Sequence, residues 1–508
     1  METWFFIIVS LCVSALVSSI FKLFKKNLPP GPPILPLVGD LIWLRRPVSE
    51  LEFILRRLRT RYGPLMMLRI GRRKLVFIAS HSLAHRALIQ HGGVFSDRPA
   101  PLFTSKISNR TLKEISSAAY GPTWRLLRRN LAQEILHPAR FKSYSSSRRW
   151  VLSMLVNRLL DASKSEISVR VMDHFQYAMF CLLVNMCFGE KLQEKQIKGI
   201  ESVQRGLLLG FPRFNVLNFW PALGKIIFRK RWKELIQLRK EQENVLLPLI
   251  RSRLKRISEH QEDGAAVLAY VDTLVNLILP EENRKLDEPE IMRLCSEFLA
   301  AGTDTTSTAL QWIMANLVKY PHIQAKLYDE ITGVVGSSKS SQLQLIEEQD
   351  LQKMLYLKAI VLEGLRRHPP GHFVLPHKVT QDVELDGYMI PCNATVNFMV
   401  ADLGWDPKVW KDPMEFKPER FLATSSGEAF DITGNREIKM MPFGAGRRIC
   451  PGLTLALLHL EYFVANLIWI FEWIPEEGDH VDLTEKQEFT TVMKNPLRAR
   501  ISPRIRIH

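Results

Sequence analysis

Among six scattered cysteines, Cys450 stands in PFGAGRRICPG, Pro442 to Gly452. Glycine and proline at this density disfavour helix and strand, so the stretch reads as a loop shaped around one side chain. A thiolate serves as nucleophile or metal ligand when N–H donors and a cation or metal stabilise it. Gly444, Gly446 and Gly452 let backbone approach closely, Phe443 offers a flat apolar wall, and Arg448 offers a fork for carboxylates. A free, inert core thiol is the commoner fate of a lone cysteine, and both readings stand at this point. The run Gly444-Ala445-Gly446 is not a dinucleotide fingerprint, because the third glycine and a following ribose-binding acid are missing.

Three further stretches carry candidate chemistry. In AAGTDTT, Gly302, Thr303, Asp304, Thr305 and Thr306 fall where an apolar helix wants leucine. Glycine there costs about 1 kcal/mol, and hydroxyls compete for the preceding carbonyls. The bland outcome is a satisfied polar kink; the sharper one is a loosened turn that relays protons. Glu363 and Arg366 sit three apart on a helix, as do Glu281/Arg284 and Glu290/Arg293, so the spacing alone is cheap. Its apolar setting and Arg420 in FKPERF predict a buried Glu363–Arg366–Arg420 network that fixes local geometry. Trp124 and Arg128 are four apart in YGPTWRLLRRN, one helical face, where they are either core and surface or a pair of donors for a buried anion.

The elements that must position these residues are mostly helical. Periodicity predicts helices at 50–61, 122–136, 147–160, 171–188, 231–257, 289–320 and 351–367, with strands at 65–70, 74–79 and within 383–399. Helices dominate and no βα alternation appears, so the expected class is mainly α with small β-sheets in one α+β body. The stretch 211–221 reads as a loop aromatic enough either to pack or to dip into a membrane.

The cysteine spacing holds no zinc pattern and no disulfide framework. A formal charge of +17 without finger, RNP or basic-zipper motifs argues for no nucleic acid and for a membrane surface or acidic protein partner. From Trp4 to Phe21 the chain is uncharged and largely apolar, and Lys22, Lys25 and Lys26 follow. This predicts an N-terminal single-pass membrane anchor over 1–24 with the body cytosolic. Residues 25–40, with prolines at 29, 30, 32, 33 and 36, form a stiff hinge, and 41–508 is the catalytic body.

Together these stretches resemble the cytochrome P-450 family of haem-thiolate monooxygenases, in its plant microsomal A-type, subfamily eighty-nine A. The resemblance rests on Phe443, Gly446, Arg448, Cys450 and Gly452, on AGTDTT, Glu363/Arg366, PERF, Trp124/Arg128 and PPGPP, in the family's order over nearly the whole chain. It implies the family's fold, a haem whose iron is bound by Cys450, and Trp124, Arg128 and Arg448 on its propionates, with Phe443 and Gly446 shaping the loop. It implies that Ala301 and Gly302 admit dioxygen, that Asp304 and Thr305 deliver protons, and that Glu363, Arg366 and Arg420 hold the haem-side scaffold. Electrons come from NADPH through a membrane-bound reductase at the endoplasmic reticulum. His377 stands where many relatives have arginine, which raises the question of its contact with a propionate. Phe298, His372, Phe373, Val374, Thr490 and Thr491, with a connection at 205–222, are the implied lining for a lipophilic small molecule, a plant specialised metabolite. A reductase-independent isomerase or dehydratase and a non-enzymatic haem carrier are the alternatives; neither needs Asp304 and Thr305.

Overall fold

The computed structural model describes residues 27–32, 48–70, 73–101, 113–164, 168–218, 221–259, 267–336, 345–422, 429–476 and 480–504, with Trp4, Ser10 and Thr104. The expected anchor lies outside the described residues apart from Trp4 and Ser10, and the expected hinge is described at 27–32 alone. That piece runs along the body: Met67 N–H donates to Pro30 O (2.8 Å) and Met389 N–H to Asn27 O (2.6 Å).

The central helix, Glu288–Lys319, crosses the core. Its start is a capping box in which Asp287 accepts from Glu290 N–H and the Glu290 carboxylate accepts from Asp287 N–H. Pro321 opens the next helix, Pro321–Val335, where its fixed φ suits a first turn. Of the two outcomes open for Gly302 to Thr306, the loosened turn does not form, and the helix is continuous through it with its polar side chains satisfied. Instead the hydroxyls of Thr303, Thr305 and Ser307 donate to the carbonyls of Leu299, Ala301 and Thr303, four residues back, at 2.7 to 2.8 Å.

Helix Val171–Phe188 packs along the central helix and is nearly all buried. Gly302 makes that approach close: a Cβ on it would stand 2.5 Å from Leu183 Cδ1. Helix Leu355–Arg367 packs on the next stretch and carries Glu363 and Arg366. Two described helices, Val171–Phe188 and Leu453–Ile470, are long and apolar enough to cross a membrane, and most of each is buried in the core.

A four-stranded sheet covers one end of the body in the order Leu65–Ile70, Arg73–Ile78, Thr395–Phe398, His377–Lys378. Its outer pairs are antiparallel and its middle pair is parallel, with Val76 opposite Val396 and His377 also opposite Val396. A second sheet joins Phe471–Pro475 to Arg498–Pro503 and Val169–Arg170. The mainly α, α+β class therefore holds. The expected connection at 205–222 is a correction: helix Glu194–Phe214 runs through it, followed by a short 3-10 turn at Asn215–Asn218 and helix Pro221–Ile227. Tertiary contacts of Phe214 and Leu217 with Leu235 stabilise that helical course, with Pro212 tolerated near the helix end.

Candidate active site

The loop before helix Leu453–Ile470 turns on left-handed glycines. Gly446 has φ of 69°, and a Cβ there would stand 2.2 Å from Leu88 O, so both backbone shape and close approach demand glycine. Gly444 N–H donates to Met441 O (3.0 Å), Ile449 N–H to Gly446 O (3.1 Å), and Cys450 N–H to Phe443 O (2.8 Å). The Cys450 thiol is pushed up by burial, while Gly452 N–H and the Arg128 charge oppose that rise. Arg128 Nη2 donates to Ile449 O at 2.5 Å, which brings its cation to the residue before the thiol.

Next to this loop lies a concentration of cations. Arg448 donates to the carbonyls of Ser96 (2.7 Å), Ile115 (3.1 Å) and Ala118 (2.7 Å), and its guanidinium lies 4.3 Å from the Trp124 ring centroid. Trp124 Nε1–H also donates to Ile115 O, at 3.1 Å. Arg98 donates to Ser116 O (2.7 Å), Leu375 O (2.8 Å) and Pro376 O (2.9 Å). Burial, then repulsion from Arg448, lowers Arg98 to about 9. Burial lowers Arg448 to about 10, Arg128 adding to the effect. Arg98 was missed in the sequence because DRP, with its proline, looks like ordinary loop; a buried arginine next to an acid is its only mark there.

His377 is buried beside these arginines, and its Nδ1–H donates to Phe95 O at 2.6 Å. Burial, then the Arg98 charge, pushes it down to about 3, so the imidazole is neutral at physiological pH. Its fixed donor holds a loop that precedes Arg98.

The central helix presents a different face. Ala301 is exposed although it sits mid-helix between buried Leu299 and buried Thr303, and Thr305 is half-buried. Thr305 Oγ1 donates to Ala301 O and makes no bond to Asp304. Asp304 instead accepts from Thr490 Oγ1–H (2.7 Å), and burial, its largest influence, raises its pKa against that bond and the Arg205 charge. One turn before Ala301, Glu297 accepts from Ile115 N–H (2.7 Å) and Ser116 N–H (2.6 Å), and burial with the neighbouring Glu114 charge pushes it up to about 7. Glu297 was also missed; its position four residues before Ala301 on an apolar helix was the available signal.

The predicted scaffold triad is assembled. Arg366 donates Nε to Glu363 Oε2 (2.7 Å) and Nη2 to Oε1 (2.8 Å), both side chains fully buried. Arg420 Nε reaches Glu363 Oε1 at 3.1 Å, and Lys417 N–H reaches the same oxygen at 2.8 Å. Arg366 and Arg420 also donate to Glu415 O, and Arg366 Nη1 to Gly404 O at 2.6 Å, so the network ties the helix to the chain before PERF.

The predicted lining residues are not all brought together. Val374 is next to the thiol loop, 3.8 Å from where a Gly444 Cβ would stand. Phe298 packs on Tyr270, ring centroids 5.2 Å apart, and Phe373 packs edge-on against Phe77. His372 is drawn away into the core, its Nδ1 2.6 Å from Glu52 Oε1 and its Nε2 3.5 Å from Glu485 Oε2. Thr491 is held by Gln487 through its hydroxyl and by Pro370 O and Trp312 Nε1 through its backbone, while Thr490 turns to Asp304.

The cytochrome P450 family model matches residues 29–502. This chain belongs to the cytochrome P450 family. It is 49% identical to "Cytochrome P450 89A9" of Arabidopsis thaliana over 98% of both chains. It is 31% identical to "Costunolide synthase" of Cichorium intybus over 97% of each, and 31% identical to "Cytochrome P450 736A117" of Prunus mume over 94% of this chain and 90% of that one. The family reading thus stands, with likeness to an 89A member, and the protein is a monooxygenase of the P450 class.

The family implies a haem with a thiolate ligand, and the residues present fit one. Arg98, Arg128 and Arg448 are crowded into one region, and among the described residues no carboxylate bonds any of them. Asp97 is engaged by Lys378 and Tyr120 N–H, and Glu297 by two backbone N–H groups. Two propionates would supply negative charge there. The exposed flank of the P450's central helix at Ala301 and the half-buried Phe443, Val374 and Cys450 give the apolar surroundings a macrocycle requires.

Proposed function

We propose that this P450 oxidises a lipophilic small molecule, a plant specialised metabolite, using electrons from NADPH delivered by a separate reductase. The observation that carries the proposal is Cys450 in its glycine-shaped loop beside three arginines that no described carboxylate hydrogen-bonds. Thiolate-ligated haem, when bound, supplies the activation of dioxygen. Cys450 is the iron ligand, with the Gly452 N–H and Arg128 stabilising its sulfur. Arg98, Arg128, Arg448 and Trp124, whose donors now meet backbone carbonyls, would hold the propionates. His377 stays neutral and holds the loop carbonyl of Phe95 in place.

Ala301 leaves the central helix low beside the reacting centre, and Gly302 supports it by letting that helix pack on Leu183. Thr305 would hold a proton on Oγ1, now donated to Ala301 O, and Asp304, now accepting from Thr490, would be the acid that replenishes it. Residues 1–24 anchor the protein in the endoplasmic reticulum membrane by a single pass, 25–40 orient it, and 41–508 form the cytosolic catalytic body. The positive charge of the chain suits an acidic reductase.

Carbon monoxide added to the reduced holoenzyme should give the red-shifted Soret band of thiolate ligation, and Cys450→Ser should abolish it. An unchanged band in that variant overturns the ligand assignment. Turnover without NADPH or reductase would move the protein to the rearrangement class.

A further inference from the structure

A second concentration of buried polar groups lies away from the haem-side arginines, between helices Glu194–Phe214, Arg229–Ser258 and the central helix. Arg293, Gln204 and Gln242 are 5%, 3% and 2% exposed. Arg239 Nη1 donates to Gln242 Oε1 (2.9 Å), Gln242 Nε2 to Ser296 Oγ (2.7 Å), and Ser296 Oγ–H to Gln204 Oε1 (3.0 Å). Bonds in that direction use up the acceptors and leave donors. Arg239 Nε, Arg293 Nη2 and Gln204 Nε2 are buried with no hydrogen-bond partner.

Nearby carboxylates do not correct the imbalance. Glu114 pairs with Arg293 Nη1 at 3.5 Å, and its charge and that of Glu243 act on Arg239, yet neither bonds Arg239 Nε or Arg293 Nη2, while Glu297 uses both oxygens on Ile115 and Ser116 N–H groups. Burial first, then the like charge of Arg293, lowers Arg239. Two neighbouring, largely enclosed guanidiniums with unused N–H groups are costly unless an anion reaches them. The fork of a guanidinium matches a carboxylate in particular.

We propose that Arg239, Arg293 and Gln204 form a binding site for a carboxylate carried by the substrate. This rests on the reading that oxidation occurs beside Ala301. Arg293, Glu297 and Ala301 recur every fourth residue, so each neighbours the next along the central helix, and Ala301 stands about 80° round the axis from Arg293. Eight residues separate Arg293 from Ala301, roughly 12 Å along the axis. The substrate is therefore a lipophilic acid whose carboxylate lies on the order of 12 Å from the carbon attacked.

The test is a spectral titration of the resting holoenzyme with matched probes: dodecanoic acid and its methyl ester, and dehydroabietic acid and its methyl ester. At least one acid should shift the haem spin state at about tenfold lower concentration than its ester, as expected for one charge-assisted bond pair. Arg239→Gln and Arg293→Gln should each reduce that preference while retaining the carbon monoxide band of the thiolate form. Equal or tighter binding of both esters, no response to either acid, or an acid preference that survives in both variants overturns the proposal. The wild-type comparison decides even if one variant fails to fold. An intact thiolate band with no acid preference removes this inference alone, while loss of that band in the wild type removes the underlying haem reading.

Discussion

The hydroxyl of Thr490 donates to Oδ2 of Asp304 across 2.7 Å, joining residues 186 positions apart. Thr490 precedes strand Thr491–Met493, and its oxygen also lies 3.3 Å from Thr308 Oγ1. A carboxylate implied to carry protons is thus parked on a neighbouring turn. Burial raises Asp304, and the Thr490 bond favours its ionised form. Thr490→Val should push Asp304 further up, so the alkaline limb of the pH profile for product formed per NADPH, where a proton-donating Asp304 is lost, should move to higher pH. A profile that stays in place would separate this bond from proton delivery.

Thr305→Ala removes the hydroxyl one helical turn from Ala301 O without disturbing the ladder, since that bond is additional to the helix's own. Substrate binding should persist in spectral titration, while reducing equivalents appear as hydrogen peroxide in place of product. Normal coupling in the variant counts against the relay.

Glu297 ties the 115–118 segment to the central helix, and that segment's carbonyls hold Arg98, Arg448 and Trp124. Its pKa is raised to about 7 in the fold from 4.5. The native state therefore holds more protons than the unfolded one between these values, and the Glu297 contribution to stability falls as pH rises through the window. The melting temperature of the wild type, measured against Glu297→Gln, should lose ground from about pH 4.5 to about pH 7.5. A constant difference would show that Glu297 does not titrate there.

The Glu363 network predicts an order of severity. Arg366 is fully buried with two carboxylate bonds, whereas the Arg420 side chain is 12% exposed with one at 3.1 Å. Removing one partner from such a buried pair costs about 3–5 kcal/mol, a large part of a protein's stability. Glu363→Ala and Arg366→Ala should yield little protein with the thiolate band, and Arg420→Ala clearly more. Carbon monoxide spectra on equal amounts of extract give the ranking, and equal yields would contradict it.

Elements with local signals were legible. Residues 171–188 were read to the residue, and the central helix within one residue at each end, because periodicity, the acidic start and Pro321 act over one or two turns. Helix Leu453–Ile470 was not read from periodicity, since it is apolar on nearly every side and leaves no stripe. The 205–222 segment misled for a different reason: its aromatic residues and Pro212 suggest a loop, and only packing against Leu235 makes it helical. Of the site, Glu363/Arg366 could be read because both partners lie on one helix. Thr490 was expected in the lining and turned out to hold Asp304, a pairing that no local spacing encodes.

By itself the sequence marked the candidate reactive centre, because the loop that carries Cys450 depends at Gly444 and Gly446 on backbone freedom that is local and specific to glycine. It likewise determined the family and the class of reaction. Tertiary structure alone decided which charges meet: Arg98 with Arg448, Glu297 with the 115–116 amides, and Arg239 with Arg293. These groups come from segments far apart in the chain, and their chemistry depends on burial and through-space distance, which sequence spacing does not carry.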